Sequence, residues 1–153
     1  MGSKPTILIV EDDATFRRVL ELFLQEKGYV VLTASNSKEA LEKLKEKEIH
    51  LIILDYKLPG TDGLEFLKTV RKTLSKDLKV IMMTANGTTE TFIQAMDCGV
   101  MDYFNKPFFL NDLKGAIEQA LKEGGEKNGD GNNKESFGIS TISIIYGIDI
   151  MHK

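Results

Sequence analysis

Five short strand-like stretches, three of them apolar runs, punctuate the chain, and a segment with helical spacing follows each. The first run, Thr6-Ile7-Leu8-Ile9-Val10, ends in Glu11-Asp12-Asp13. Ala14 to Lys27 then carries Phe16, Val19, Leu20, Phe23 and Leu24 at spacings that share one helix face. Gly28 stands where a helix C′ residue belongs. Tyr29 to Ala34 reads as the second strand. Ser35-Asn36-Ser37 supplies an N-cap for a helix with a Lys- and Glu-rich outer face. The third stretch, Leu51-Ile52-Ile53-Leu54, leads directly into Asp55, and Pro59-Gly60 then turns the chain. Asp62-Gly63 opens a helix with Leu64, Leu67, Val70, Arg71 and Leu74. Lys79-Val80-Ile81-Met82-Met83 is the fourth strand, with Thr84 at its end. Thr88 to Asp97 gives a weaker helix with Phe92, Ile93 and Met96 as its apolar positions, and Gly99 ends it. Val100 to Phe104 is the fifth strand, before Asn105-Lys106-Pro107. A final helix spans about Leu110 to Leu121, with Leu113, Ile117, Ala120 and Leu121 facing inward.

Strands apolar along their whole length are buried on both faces, and strand–helix alternation implies βαβ units with right-handed crossovers. The predicted fold is α/β: a flavodoxin-like, doubly wound sheet of five parallel strands in the order 2-1-3-4-5, with helices on both faces. That order makes the first and third strands neighbours across the topological switch point. Glu11, Asp12 and Asp55 then share one crevice, although 43 residues separate Asp12 from Asp55. The domain is expected over residues 5–122. Residues 123–136 read as a Gly/Asn-rich linker, and residues 137–153 as an Ile-rich tail with strand character. That tail is expected either to add a strand to a sheet edge or to remain an unstructured end.

Composition narrows the partners. The 153 residues carry a formal net charge of −3 and no basic cluster, which argues against a nucleic-acid surface. One cysteine, Cys98, cannot form an internal disulfide and is read as a small core residue, in keeping with a reducing cytoplasm. No apolar run approaches the roughly 20 residues of a membrane span. Met1-Gly2-Ser3-Lys4-Pro5 runs straight into a strand, with no signal peptide.

The chemistry lies at the strand ends. Three converging carboxylates repel one another unless a cation sits among them or some take up protons. Oxygen ligands without His or Cys suit Mg²⁺, with Mn²⁺ as the alternative ion. An Asp can attack phosphorus to form an aspartyl phosphate. Lys106 then supplies a cation for phosphoryl oxygens, and Thr84 a hydroxyl donor. Each residue alone has a plainer reading: acids meeting a helix dipole, a strand-end hydroxyl, a solvated loop lysine, Asp55 as a turn starter. Their joint occurrence at successive strand ends favours the chemical one.

Four stretches together carry a resemblance: Ile7-Leu8-Ile9-Val10-Glu11-Asp12-Asp13, Leu54-Asp55-Tyr56-Lys57-Leu58-Pro59-Gly60-Thr61-Asp62-Gly63, Met83-Thr84-Ala85, and Tyr103-Phe104-Asn105-Lys106-Pro107-Phe108. From about Thr6 to Leu121 the chain strongly resembles the receiver domain of two-component response regulators, such as those of chemotaxis and nitrogen regulation. The resemblance implies that Asp55 accepts a phosphoryl group from the phosphohistidine of a sensor histidine kinase or phosphotransfer protein. It implies Mg²⁺ held by Asp12, Asp55 and the backbone carbonyl of Lys57, with Glu11 acting mostly through a bound water. Asp13 then helps start the helix, and Lys106 pairs with the phosphoryl group ahead of a cis bond to Pro107.

The resemblance also implies a switch. Thr84 moves toward the phosphoryl oxygen, Tyr103 turns from a more exposed to a more buried rotamer, and the face of the fourth helix and fifth strand changes shape. Lys57 and Asn86 occupy the positions that tune phosphoryl lifetime, without setting an expected value. The output is expected to be a contact with a downstream protein, with homodimerisation through that face by family analogy. About 30 residues remain after Leu121, too few for a helix-turn-helix DNA-binding domain. A stand-alone regulator, a phosphorelay intermediate and a receiver cut from a longer regulator all fit this length.

Three other readings compete. A small aspartyl-phosphate hydrolase wants a second Asp two residues after its nucleophile, where this chain has Lys57. A flavodoxin-like cofactor binder wants a phosphate-binding loop where Glu11-Asp12-Asp13 would repel an anion. A receiver-shaped module that is never phosphorylated needs none of these acceptor residues, yet all are in place.

Overall fold

The computed structural model describes residues 3–74 and 77–122. The expected linker and Ile-rich tail lie outside the described residues. Five parallel strands make the main sheet: β1 (Thr6–Val10), β2 (Val30–Ala34), β3 (Leu51–Asp55), β4 (Val80–Thr84) and β5 (Asp102–Asn105). Their order is β2-β1-β3-β4-β5, the doubly wound order expected from the alternation. Helices α1 (Ala14–Glu26), α2 (Ser37–Glu46), α3 (Gly63–Thr73), α4 (Thr89–Asp97) and α5 (Leu110–Lys122) connect or follow them.

The apolar runs lack two-residue alternation because each strand feeds two cores. Leu8, Val10, Ile52, Leu54, Val80 and Met82 pack with Ala40 of α2, Leu64, Leu67 and Val70 of α3, and Ala95 of α4. Ile7, Ile9, Leu51, Ile53, Ile81 and Met83 point the other way, against Leu20 and Leu24 of α1 and Leu113, Ala116 and Ile117 of α5. Four of the helices are started by side chains at their N-termini, and two are closed by glycines. Asp13, Asn36, Asp62 and Thr88 each accept a backbone N–H from three residues on, satisfying donors the helix leaves unpaired. Gly28 and Gly99 close α1 and α4 at φ +94° and +79°.

Several features differ from the spacing-based reading. Val19 and Ile93, placed on apolar helix faces by periodicity, are exposed. Leu74 is likewise exposed at the C-cap of α3. Arg71, named beside the apolar positions of α3, reaches across: its guanidinium donates to the carbonyls of Leu78, Cys98 and Gly99 at 2.8, 3.0 and 3.1 Å. It thus ties α3 to the end of α4. Cys98 is half-buried against the core. A two-residue antiparallel pair, Lys57–Leu58 with Thr61–Asp62, was not expected and follows directly on Asp55.

Register now positions the chemistry. Val10 pairs with Leu54, so Glu11 emerges beside Asp55. Asp55 pairs with Met83, which puts Thr84 one step beyond it on the adjacent strand. Thr84 pairs with Asn105, so Lys106 leaves β5 at the same sheet edge. The ladder continues past the strand ends: Tyr56 N–H donates to the Met83 carbonyl and Lys106 N–H to the Thr84 carbonyl, both at 2.7 Å.

Candidate functional site

The carboxyl ends of β1 and β3 carry Glu11 and Asp55 into the crevice at the switch point, the place where open α/β sheets bind ligands. Glu11 is fully buried and Asp55 is 5% exposed, whereas Asp12 stands in solvent. One carboxylate oxygen from each of Glu11, Asp12 and Asp55 lies within 4.8 Å of the others. The Lys106 ammonium bridges the two buried acids: it donates to Glu11 Oε1, and to Asp55 Oδ2 at 3.2 Å.

Electrostatics at this cluster are lopsided. Burial pushes the Glu11 carboxyl above the usual carboxylate range, and neighbouring Asp55 pushes it further, against the pull of Lys106. Burial alone would depress the Lys106 ammonium. The hydrogen bond to Glu11 and the charge of Asp55 outweigh that and hold it above the ordinary lysine value. Three carboxyl groups thus converge on a single ammonium. The donor set is all oxygen, two ligands are buried and one is open to solvent. That chemistry fits a hard divalent cation that keeps several waters.

The remaining expected residues have partners of their own. Lys57 N–H lies 3.4 Å from Asp55 Oδ1, at the long limit of a hydrogen bond. Thr84 is buried at the end of β4, where its Oγ1 accepts the Asn86 N–H at 3.2 Å. Asp13 is the N-cap of α1, its Oδ1 accepting Phe16 N–H at 3.0 Å, as expected of a helix starter rather than a ligand. The Lys106–Pro107 bond is cis. Tyr103 belongs to a different neighbourhood. It is fully buried, with its hydroxyl 2.9 Å from Thr91 Oγ1 and its ring edge-on to Phe92 at 5.5 Å, so β5 and α4 are joined through it.

Three residues at the site escaped the sequence reading. Phe16, read there as a core position, places its ring 4.8 Å from the Lys106 ammonium. Arg17 donates to the Glu11 carbonyl at 2.7 Å and brings positive charge to the backbone that carries the acids. Gly63, read only as the opening of a helix and part of a motif, backs directly onto the strand end: a Cβ there would lie 2.6 Å from the Asp55 carbonyl oxygen. The signal available for Gly63 was its place immediately after a turn and an N-cap Asp. For Phe16 and Arg17 the signal was only their lying within one helical turn of the acids.

Fold and site define an open α/β protein with an acidic, lysine-bridged crevice at its switch point. Residues 7–118 match the response regulator receiver domain, and the chain belongs to that family. Among relatives, it is 40% identical over 127 residues to the uncharacterized transcriptional regulatory protein YkoG of Bacillus subtilis (strain 168), covering 83% of this chain and 55% of that protein. It is 36% identical to the phosphate regulon transcriptional regulatory protein PhoB of Pseudomonas aeruginosa, covering 78% and 53%. The chain thus spans about half the length of these curated relatives. Among solved structures, a CheY-like response regulator receiver domain protein from Methanospirillum hungatei JF-1 superposes with a TM-score of 0.75 at 30% identity, covering 89% of this chain and all of that one. Response regulator protein TrrA from Thermotoga maritima, solved in complex with Mg(2+)-BeF, gives 0.68 at 35% identity, covering 76% and 99%.

Proposed function

We propose that Asp55 is the phosphoacceptor of this receiver and that a sensor histidine kinase or phosphotransfer protein is its donor. The observation that carries the reading is the Lys106 bridge between two buried acids that lie distant along the chain, beside a third, exposed one. An Asp55 carboxylate oxygen forms the new bond to phosphorus as the P–N bond of a phosphohistidine breaks, and its electron pair returns to the imidazole. Lys106, already aimed at Asp55, shifts to the incoming phosphoryl oxygens. Thr84, one step beyond Asp55 on the adjacent strand, donates its hydroxyl to the same group. Asp12, Asp55 and Glu11, with the Lys57 carbonyl, are the proposed holders of Mg²⁺; when bound there it supplies charge neutralisation and a template for phosphoryl oxygens. The chain carries out its own phosphorylation and dephosphorylation rather than turnover of a metabolite. With Lys57 two residues after Asp55, the hydrolase reading finds no second Asp in that place.

The proposed output is a change on the α4–β5 face, read by a downstream protein or a second copy of the chain in the cytoplasm. Thr91 and Tyr103 link those two elements directly. No helix among the described residues is long and apolar enough to cross a membrane. Coverage of only half of the relatives favours a second reading, in which this receiver regulates a longer transcriptional regulator. Any nucleic-acid contact then lies outside the receiver.

Incubation with acetyl phosphate and Mg²⁺, followed by intact mass, tests the reaction. One added phosphoryl group is expected, and none in the presence of a chelator. An unchanged mass under conditions that label a control receiver would leave a receiver-shaped module without the chemistry.

A further inference from the structure

We infer that Phe16 is a positioning residue for Lys106: its ring holds the ammonium against Asp55 and keeps water from that side of it. The inference rests on the proposed role of Asp55 and adds a residue that role does not require. Three observations carry it.

The Phe16 ring lies 4.8 Å from Lys106 Nζ, while the same nitrogen donates to Glu11 and Asp55. Two carboxylates and one aromatic face thus surround the ammonium. An ammonium that gives up water on one side is attracted to the negative face of a ring there. The ring is itself fixed. Phe16 meets Phe108 edge-to-face at 5.9 Å, and Phe108 packs on Phe104 at 5.2 Å. Phe104 and Phe108 lie two residues either side of Lys106, so the aromatic row braces the segment that delivers the lysine. Finally, Phe16 sits in the first turn of α1, where its own N–H is capped by Asp13. The helix start that follows the acids therefore also delivers the ring.

An aliphatic side chain fills space at position 16 but offers no π face. Lys106 would then exchange the ring for water and sample orientations away from Asp55. Tyr keeps the face. The probes are Phe16→Leu and Phe16→Met against Phe16→Tyr, with NMR of the Lys106 ε-methylene in the unphosphorylated protein and the rate of labelling by acetyl phosphate with Mg²⁺. In the wild type and in Phe16→Tyr, the ring is expected to shift the Lys106 ε-protons upfield. In Phe16→Leu and Phe16→Met that shift is lost, and labelling slows by about two- to five-fold, the worth of such a contact at a part-exposed site. A structural role alone would not give recovery by Tyr together with a ring-dependent shift at Lys106. Equal Lys106 shifts in wild type and Phe16→Leu overturn the inference. So do equal labelling rates in a labelled wild type, which leave the role of Asp55 standing. A wild type that is never labelled removes both.

Discussion

Lys106→Met is expected to lower the stability of the receiver by about 2–4 kcal/mol in metal-free buffer at neutral pH. The lysine bridges Glu11, which is fully buried, and Asp55, which is nearly so. Removing the ammonium leaves two buried carboxyls crowded together without the cation they share, the costly half of breaking a buried pair. The lysine side chain is itself 21% exposed, which sets the figure toward the lower end of what severed buried pairs cost. Methionine preserves most of the stem's packing, so the loss reports on charge rather than a cavity. Added Mg²⁺ is expected to restore part of the deficit, because a cation bound by the same acids relieves the same crowding. Denaturant unfolding with and without Mg²⁺ measures both effects. Unchanged stability would mean that the acids do not depend on Lys106.

Gly63→Val is expected to be the most damaging substitution near the site that touches none of its charged groups. A Cβ at this position would sit 2.6 Å from the Asp55 carbonyl oxygen, 3.1 Å from Tyr56 Cα and 3.3 Å from the Asp55 carbonyl carbon. All three are backbone atoms, so no side chain can swing away. Either the start of α3 retreats or the end of β3 bends, and β3 carries the proposed phosphoacceptor. Overpacking of this kind costs about 1–3 kcal/mol, and the two extra methyl groups of Val place the change toward the upper part of that range. The functional loss is larger in proportion, because a displacement on the order of 1 Å at a reacting group lowers rates by up to about 100-fold. Gly63→Ala is expected to lie between the two. Labelling by acetyl phosphate, measured beside thermal unfolding, separates the contributions. A Gly63→Val protein that labels at the wild-type rate would show that the strand end accommodates the side chain at no functional cost.

Much of this architecture was legible in the sequence because its determinants are local. Unbroken apolar runs such as Ile52-Ile53-Leu54 occur where both faces of a strand are covered, and the two cores bear that out. Strand–helix alternation then limited the topology to few choices. Acids and a lysine directly after such runs had to arrive at one edge of a parallel sheet, and register brings Glu11 beside Asp55. What escaped depended on contacts between segments. Arg71 looked like part of an apolar stripe, and only the fold reveals the carbonyls of Leu78, Cys98 and Gly99 within its reach. Phe16 looked like core for the same reason. Gly63 carries no side chain to read, and its role follows from where Asp55 lies behind it. Val19 and Ile93 show the opposite error, since periodicity places residues on a face without locating the edge of what covers it.

The proposed chemistry requires Asp55 to be the residue that takes the phosphoryl group. Hydride reduction of the acetyl-phosphate-labelled protein, followed by peptide mapping, converts an acyl phosphate into an alcohol and so marks its position. The mark is expected at residue 55 alone, with no label at all in Asp55→Asn. A mark at Glu11 or Asp12, or full labelling of Asp55→Asn, would contradict it.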